Sequence, residues 1–224
     1  GQLIKIMHHD DWFTSSNSLQ TFVETLEKNP RACLAFVASK NINIDNMELI
    51  NVNAPDDFTI KKIQKDPILL ICGNIIGSPS ATIFRNLKIK YFDDKLKWYV
   101  DCEAYTNLIL KTKGEIAFSP KEAISIGISG MQISRDCENN SKTNVFEFFY
   151  YLKKYNVLSL KNKLILRATV NLIYRFRLNN LNDISKYSKN TLPVGTSLIL
   201  IFKRIFGVKI SSLIFRLWFH IIIN

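Results

Sequence analysis

Ile4-Lys5-Ile6-Met7-His8-His9-Asp10-Asp11-Trp12-Phe13 is a short apolar run that ends abruptly in two imidazoles and two adjacent carboxylates. Such a run predicts a buried strand whose C-terminal end opens into a polar crevice. In open α/β sheets, ligands collect at that end of the strands. Two neighbouring Asp side chains repel each other unless something positive sits between or beside them, and a divalent metal with phosphate oxygens is the usual remedy. The alternative reading of the same residues is a turn that places acidic charge ahead of a helix.

The next residues extend the pattern. Thr14-Ser15-Ser16-Asn17-Ser18 is rich in helix-capping side chains, and Leu19, Phe22, Val23 and Leu26 follow at helical spacing until Asn29-Pro30 ends the helix. Ala32 to Ala38 is a continuous apolar run and predicts a buried strand. Strand, polar turn, helix and strand in this order are the β-α-β signature of a parallel sheet. Further on, the chain predicts a short strand around Met47–Val52, a short helix around Phe58–Gln64 and a buried strand over Ala81–Arg85. Between the last two lies a loop, Gly73-Asn74-Ile75-Ile76-Gly77-Ser78-Pro79-Ser80, marked by its glycines and proline. Asp101 falls where an apolar approach gives way to a helical stripe of Ala104, Tyr105, Leu108 and Ile109, so it belongs at or near a helix N-terminus. Ile116–Phe118 and Ala123–Ile128 read as a strand pair around Ser119-Pro120. A polar loop over Gly130–Lys142, including Arg135, Asp136 and Glu138, then leads to helices over Asn144–Tyr155 and Leu158–Asn179.

Charge divides the chain unevenly. Residues 1–150 carry 17 Lys/Arg against 18 Asp/Glu, a net of −1, whereas residues 151–224 carry 13 against one, Asp183, a net of +12. A charge-balanced globular part joined to a basic, aromatic-rich one points to a polyanionic surface as partner, either nucleic acid or anionic lipid. Ser197–Ile223 is strongly apolar, but Lys203, Arg204, Lys209 and Arg216 interrupt it. Each such charge costs roughly 2.5–3.5 kcal/mol near a bilayer centre, which opposes a span. Basic residues among Leu, Ile, Phe and Trp suit helices lying in the headgroup plane, and the competing reading is a helix pair packed on the domain. Nucleic acid is disfavoured, because the basic residues are interleaved with long aliphatic runs and no nucleic-acid-binding motif is present. Cys33, Cys72, Cys102 and Cys137 show no zinc or disulfide spacing, so they are expected as reduced thiols in a cytosolic compartment. The chain opens on Gly1, already inside a strand pattern, which suggests a piece of something longer.

Three blocks now stand in one order: IKIMHHDDWF at residues 4–13, GNIIGSPSATIFR at 73–85 and FDDKLKWYVDCEAYTNLIL at 92–110. Together they resemble family 2 glycosyltransferases of the GT-A fold, which build bacterial surface polysaccharides from nucleotide sugars. The resemblance covers roughly residues 3–135. It implies an α/β fold with a Rossmann-like mixed sheet flanked by helices. It also implies a partial transferase domain over residues 1–142, with a helical, basic, membrane-associated extension over 143–224. The family's leading β-α-β units, which hold the nucleotide base, have no counterpart here.

Carried over to this chain, the first block resembles the family's Asp-x-Asp motif, with His8 at its first Asp and Asp10 at its second. The resemblance makes Asp10, with its neighbour Asp11, the ligand of a Mg²⁺ or Mn²⁺ ion bridging the donor diphosphate. His8 departs from the pattern and would supply a hydrogen bond instead of a charge, with His9 beside it. The turn Gly77-Ser78-Pro79-Ser80 resembles the loop lining the donor-sugar and acceptor cleft. Asp101 falls at the position of the base in an inverting transfer, and Glu103 is a second candidate for that work. The implied partners are a nucleotide-sugar donor, a saccharide or lipid-linked acceptor, and the anionic inner face of a cytoplasmic membrane, without nucleic acid. A non-catalytic remnant that keeps the fold and lacks the nucleotide-binding half is the alternative.

Overall fold

Ala32–Ala38 lacks the apolar/polar alternation of a half-exposed strand, and it forms the middle of the sheet. The computed structural model describes residues 1–129, 137–189 and 192–205. The chain divides into two compact units, Gly1–Asp94 with Val100–Arg135, and Lys95–Tyr99 with Asp136–Asn224. The second unit thus begins before residue 143 and takes in five residues from the approach to Asp101.

The first unit is built on a six-stranded mixed sheet. Its strands are β1 (Leu3–Ile4), β2 (Asp11–Phe13), β3 (Ala32–Asn43), β4 (Glu48–Asn53), β5 (Thr82–Arg85) and β6 (Glu115–Ile128). The order is β1-β5-β3-β6-β2, and β4 pairs with the second half of β3. Ala35 and Val37 join Phe22 and Leu26 of helix α1 (Ser18–Glu27) in one core cluster. Leu34, Phe36 and Ala38 alternate with them and are equally buried, so β3 is covered on both faces. Helix α3 (Val100–Thr112) packs against β3, and Thr106 Oγ1 of α3 donates to Pro67 O of the 3₁₀ turn Pro67–Cys72. Helix α2 (Asp57–Lys65) is capped by Asp56, whose carboxylate accepts from the Thr59 N–H. Arg85 of β5 donates to Ala32 O and Leu26 O, satisfying carbonyls at the end of α1 and the start of β3.

Three expectations need correction. Residues 4–13 are not one buried strand. The run splits into half-buried β1 at one edge of the sheet and β2 at the other, and the chain crosses between them over residues 5–10. Hydrogen bonds to residue 80 replace a ladder there: the His8 N–H donates to Ser80 Oγ, and Lys5 Nζ donates to Ser80 O. The sheet is also not a parallel β-α-β array, because β2 pairs antiparallel with β6, and β3–β6 is the parallel pair among the described strands. Finally, residues 115–128 form one strand instead of two. Val37 faces Ser119 and Ala38 faces Glu122, so Pro120 and Lys121 stand out in a bulge where the missing proline N–H is not needed.

The second unit contains helices α4 (Ser141–Lys154), α5 (Lys163–Arg175) and α6 (Leu181–Ser185), with residues 196–205 also helical. Asn140, Asn162 and Asn180 cap α4, α5 and α6 through their side-chain oxygens. These caps explain why α4 starts inside the expected 130–142 loop and why α5 is shorter than 158–179. Residues 130–136, with Arg135 and Asp136, lie outside the described residues. Lys203, expected on the charged face of an interfacial helix, is buried instead: its Nζ donates to Leu178 O at 2.7 Å and Asn179 Oδ1 at 3.0 Å. Residues 206–224, including Lys209 and Arg216, lie outside the described residues. Among the described residues, no helix is long and apolar enough to cross a membrane.

One buried carboxylate organises this unit. Glu147 of α4 accepts hydrogen bonds from the backbone N–H groups of Lys97, Trp98 and Tyr99 at 2.8–2.9 Å, the residues immediately ahead of α3. Bonds to a charged acceptor contribute more than neutral ones, and stranding the donors costs about 1–3 kcal/mol each. Glu147→Leu is therefore expected to lower unfolding free energy by about 3 kcal/mol or more in urea titrations, with Glu147→Gln, which keeps one acceptor oxygen, between it and the parent.

Candidate functional site

The site forms in the first unit, where residues 5–10 cross between the two sheet edges. Asp11 opens β2 and faces Ile126 of β6. Its Oδ1 accepts from the Gly127 N–H at 3.1 Å. Its Oδ2 is buried without a hydrogen bond and lies 3.8 Å from His8 Nδ1. His8, Asp10 and Asp11 each bring a ligand atom into a group within 4.8 Å of one another. His9, exposed in the turn, is not part of it.

Burial pushes the Asp11 carboxyl above the usual carboxylate range; the Ser80 hydroxyl and the Gly127 N–H pull it back, and the Asp10 charge adds to the rise. Lys5 brings a cation to the same place. Its ammonium donates to Ile6 O and Ser80 O and sits 4.5 Å from the Phe22 ring centroid. Burial lowers its pKa to about 8, and the Asp11 charge opposes that shift.

Asp101 lies in the first turn of α3, within electrostatic reach of His8. Burial raises its pKa to about 6, with His8 pulling the other way. A carboxylate poised there is mostly ionised at neutral pH and basic enough to take a proton. Glu103 is buried, but two residues along a helix is a rotation of about 200°, so it does not share the face of Asp101. Tyr105, one turn on from Asp101, does, and its hydroxyl donates to Gly77 O at 3.2 Å. That bond ties α3 to the 73–80 loop. Gly77 holds φ +92, and the following residues form a 3₁₀ turn with Pro79 and Ser80 buried. Ser80 reaches the metal-type cluster through His8; Gly77 and Ser78 face a separate polar cleft.

Two contributors were not singled out from sequence, Lys5 and Gly127. A glycine inside the strand pattern Ile124-Ser125-Ile126-Gly127-Ile128 signals close backbone approach. A Cβ at Gly127 would lie 2.3 Å from Asp10 O and 2.9 Å from Ile44 Cγ2. Lys5 carries no such signal, since one cation in an apolar run reads as an exposed strand residue. None of the four cysteines is in a disulfide, and burial raises Cys33, Cys72 and Cys102, which makes those three poor nucleophiles.

The donor set fits a divalent cation. Two carboxylates and an imidazole converge, and one buried carboxylate oxygen lacks a hydrogen bond. Carboxylates alone suit Mg²⁺, whereas an added imidazole moves the preference toward Mn²⁺ or a later transition metal. No family model matches the chain, and no curated protein matches it.

Two measurements test this geometry. Gly127→Ala must displace the Asp10 backbone, and is expected to cost about 1–3 kcal/mol in denaturant titrations. Asp101 has its folded pKa raised from 3.8 to about 6, so it opposes folding at neutral pH. Asp101→Asn should stabilise the protein at pH 7.5 by up to about 3 kcal/mol. The gain should shrink as pH falls through 6 and vanish below about 4, where both states are protonated.

Proposed function

We propose that the chain is a nucleotide-sugar-dependent glycosyltransferase of the inverting type, with a saccharide or lipid-linked acceptor. The observation that carries the reading is the meeting of a buried base with a cation-type ligand cluster in one unit: Asp101, near pKa 6, stands within electrostatic reach of His8, which joins Asp10 and Asp11. Asp101 accepts the proton of the acceptor hydroxyl as that oxygen attacks the anomeric carbon and the bond to the leaving diphosphate breaks. His8, Asp10 and Asp11 hold the divalent ion, which when bound offsets the negative charge gathering on the diphosphate. Lys5 brings a positive charge beside Asp11, whose own charge opposes the fall in the Lys5 pKa. Tyr105 and Ser80 position the 73–80 loop and the 5–10 crossing. Glu103 has no part in the proton transfer.

The basic second unit suits an anionic membrane surface, where a lipid-linked acceptor resides. With Lys203 engaged internally, the contact falls to exposed Lys161, Lys163, Arg167 and Arg177.

Calorimetry with a nucleoside diphosphate, with and without Mn²⁺, tests the reading. Binding should require Mn²⁺ and weaken at least tenfold in Asp10→Ala, and Asp101→Asn should bind normally while losing sugar transfer. A folded protein that binds no nucleoside diphosphate under either condition is a remnant without transferase activity.

A further inference from the structure

One row of side chains crosses the sheet from the metal-type cluster. In register, Asp11 faces Ile126, Ile126 faces Asn41, and Asn41 faces Asn51. Residues in register point to the same face, so Asp11 and the two amides share one surface, with Asn41 about 10 Å from Asp11 at two strand spacings. In the next row Ser39 faces Asn53 on that surface. Helix α1 covers the face only over the first half of β3, around Ala35 and Val37. Beyond its reach, Ser39, Asn41, Asn51, Asn53, Asn74 and Ser78 line a cleft of about 280 Å³.

The chemistry of the cleft is specific. Its lining carries no charged side chain, in a protein of net charge +11. Asn41 Nδ2 donates to Asn51 Oδ1 at 2.7 Å, which leaves Asn41 Oδ1 as an acceptor and Asn51 Nδ2 as a donor side by side. Asn53 and Asn74 are held by the loop itself, through Asn53 Nδ2 to Ile75 O and Asn74 Nδ2 to Gly77 O. Ser78 Oγ is shut off from solvent and makes no hydrogen bond. Paired donors and acceptors without charge match adjacent hydroxyls, each of which both donates and accepts, and do not match a phosphate or carboxylate. The volume lies at the small end for ligand clefts, roughly 300 Å³ and up, and suits a single ring.

We propose that this amide-lined cleft binds a neutral sugar ring, with Asn41 and Asn51 as its recognition pair. The inference deepens the transferase reading by locating where a sugar sits beside the reacting centre. The ring can belong to an acceptor glycan or to the sugar half of a nucleotide donor, and the two sources are separable.

The test uses the full chain on an array of neutral and anionic glycans without nucleotide, together with calorimetry of UDP against UDP-glucose, UDP-galactose and UDP-N-acetylglucosamine in Mn²⁺. An acceptor subsite retains neutral glycans, and Asn51→Ala and Asn41→Ala weaken retention at least fivefold while UDP binding is unchanged. A donor-sugar subsite gives one UDP-sugar a tenfold advantage over UDP that both substitutions erase. Asn51 is exposed, so its truncation leaves the core intact, and unchanged thermal unfolding verifies this. The proposal is overturned by retention of no neutral glycan together with no UDP-sugar preference, by binding that both substitutions leave intact, or by retention confined to anionic glycans. Glycan retention without UDP binding would instead reject the transferase reading and leave the sugar site standing.

Discussion

A strand hydrogen-bonded along both edges and covered on both faces has nowhere to move, and β3 is such a strand over most of its twelve residues. Its first half is held between β5 and β6, its second between β4 and β6. A buried strand with any edge unpaired would strand backbone donors and acceptors away from water. Where the partner changes from β5 to β4, Asn53 of β4 holds the 73–80 loop through its bond to Ile75 O, and the loop is closed on itself by the Asn74–Gly77 bond. The cleft and the cluster both lie at this half of β3, where α1 no longer covers the sheet.

Burial at this place works against ionised carboxylates. Asp11 and Asp101 are both pushed upward by burial; the Ser80 hydroxyl, the Gly127 N–H and His8 oppose the rise at Asp11, and His8 opposes it at Asp101. A site that keeps acids dry and only partly compensated is less stable than an apolar equivalent, and such sites are where perturbed titration and chemistry coincide. The Lys5 ammonium is itself held by carbonyl oxygens and aromatic faces, which fixes it better than solvent would.

Local order was readable where a single principle governed. Helices α1 and α2, the strands near 32–38, 48–53 and 82–85, and the position of Asp101 in the first turn of α3 all followed from apolar spacing and capping residues. Pairing was not readable, because a two- or three-residue strand such as β1 or β2 has no periodicity of its own. The 4–13 run looked like one strand since Lys5 is internally satisfied and His8 is bound to Ser80, contacts that span more than seventy residues of sequence. The His-Asp-Asp cluster was visible as a local motif, but Lys5 and the Asn41–Asn51 pair depend on strand register. Lys203 was misread for the same reason: its partners lie 24 and 25 residues away.

The bulge at Pro120 and Lys121 and the second irregularity at Ala123 together have a discrete consequence. From Val37 to Ser39, β3 advances two residues while β6 advances five, from Ser119 to Ile124. Pro120 and Lys121 are two of the additional residues, and Ala123, at the second irregularity, is the third. Three is an odd number and strand side chains alternate with period two, so the inside and outside of β6 exchange across the two irregularities. Ala117 before it and Ile124 after it therefore lie in the same core cluster, although their numbers differ in parity. The same inversion sets Ile126 on the face of Asn41 and Asp11 and brings the Gly127 N–H to the Asp11 carboxylate. The two halves of β6 are joined by a counting rule: an even number of inserted residues here would turn both Ile124, a member of the α1 core, and the floor of the site to the opposite face.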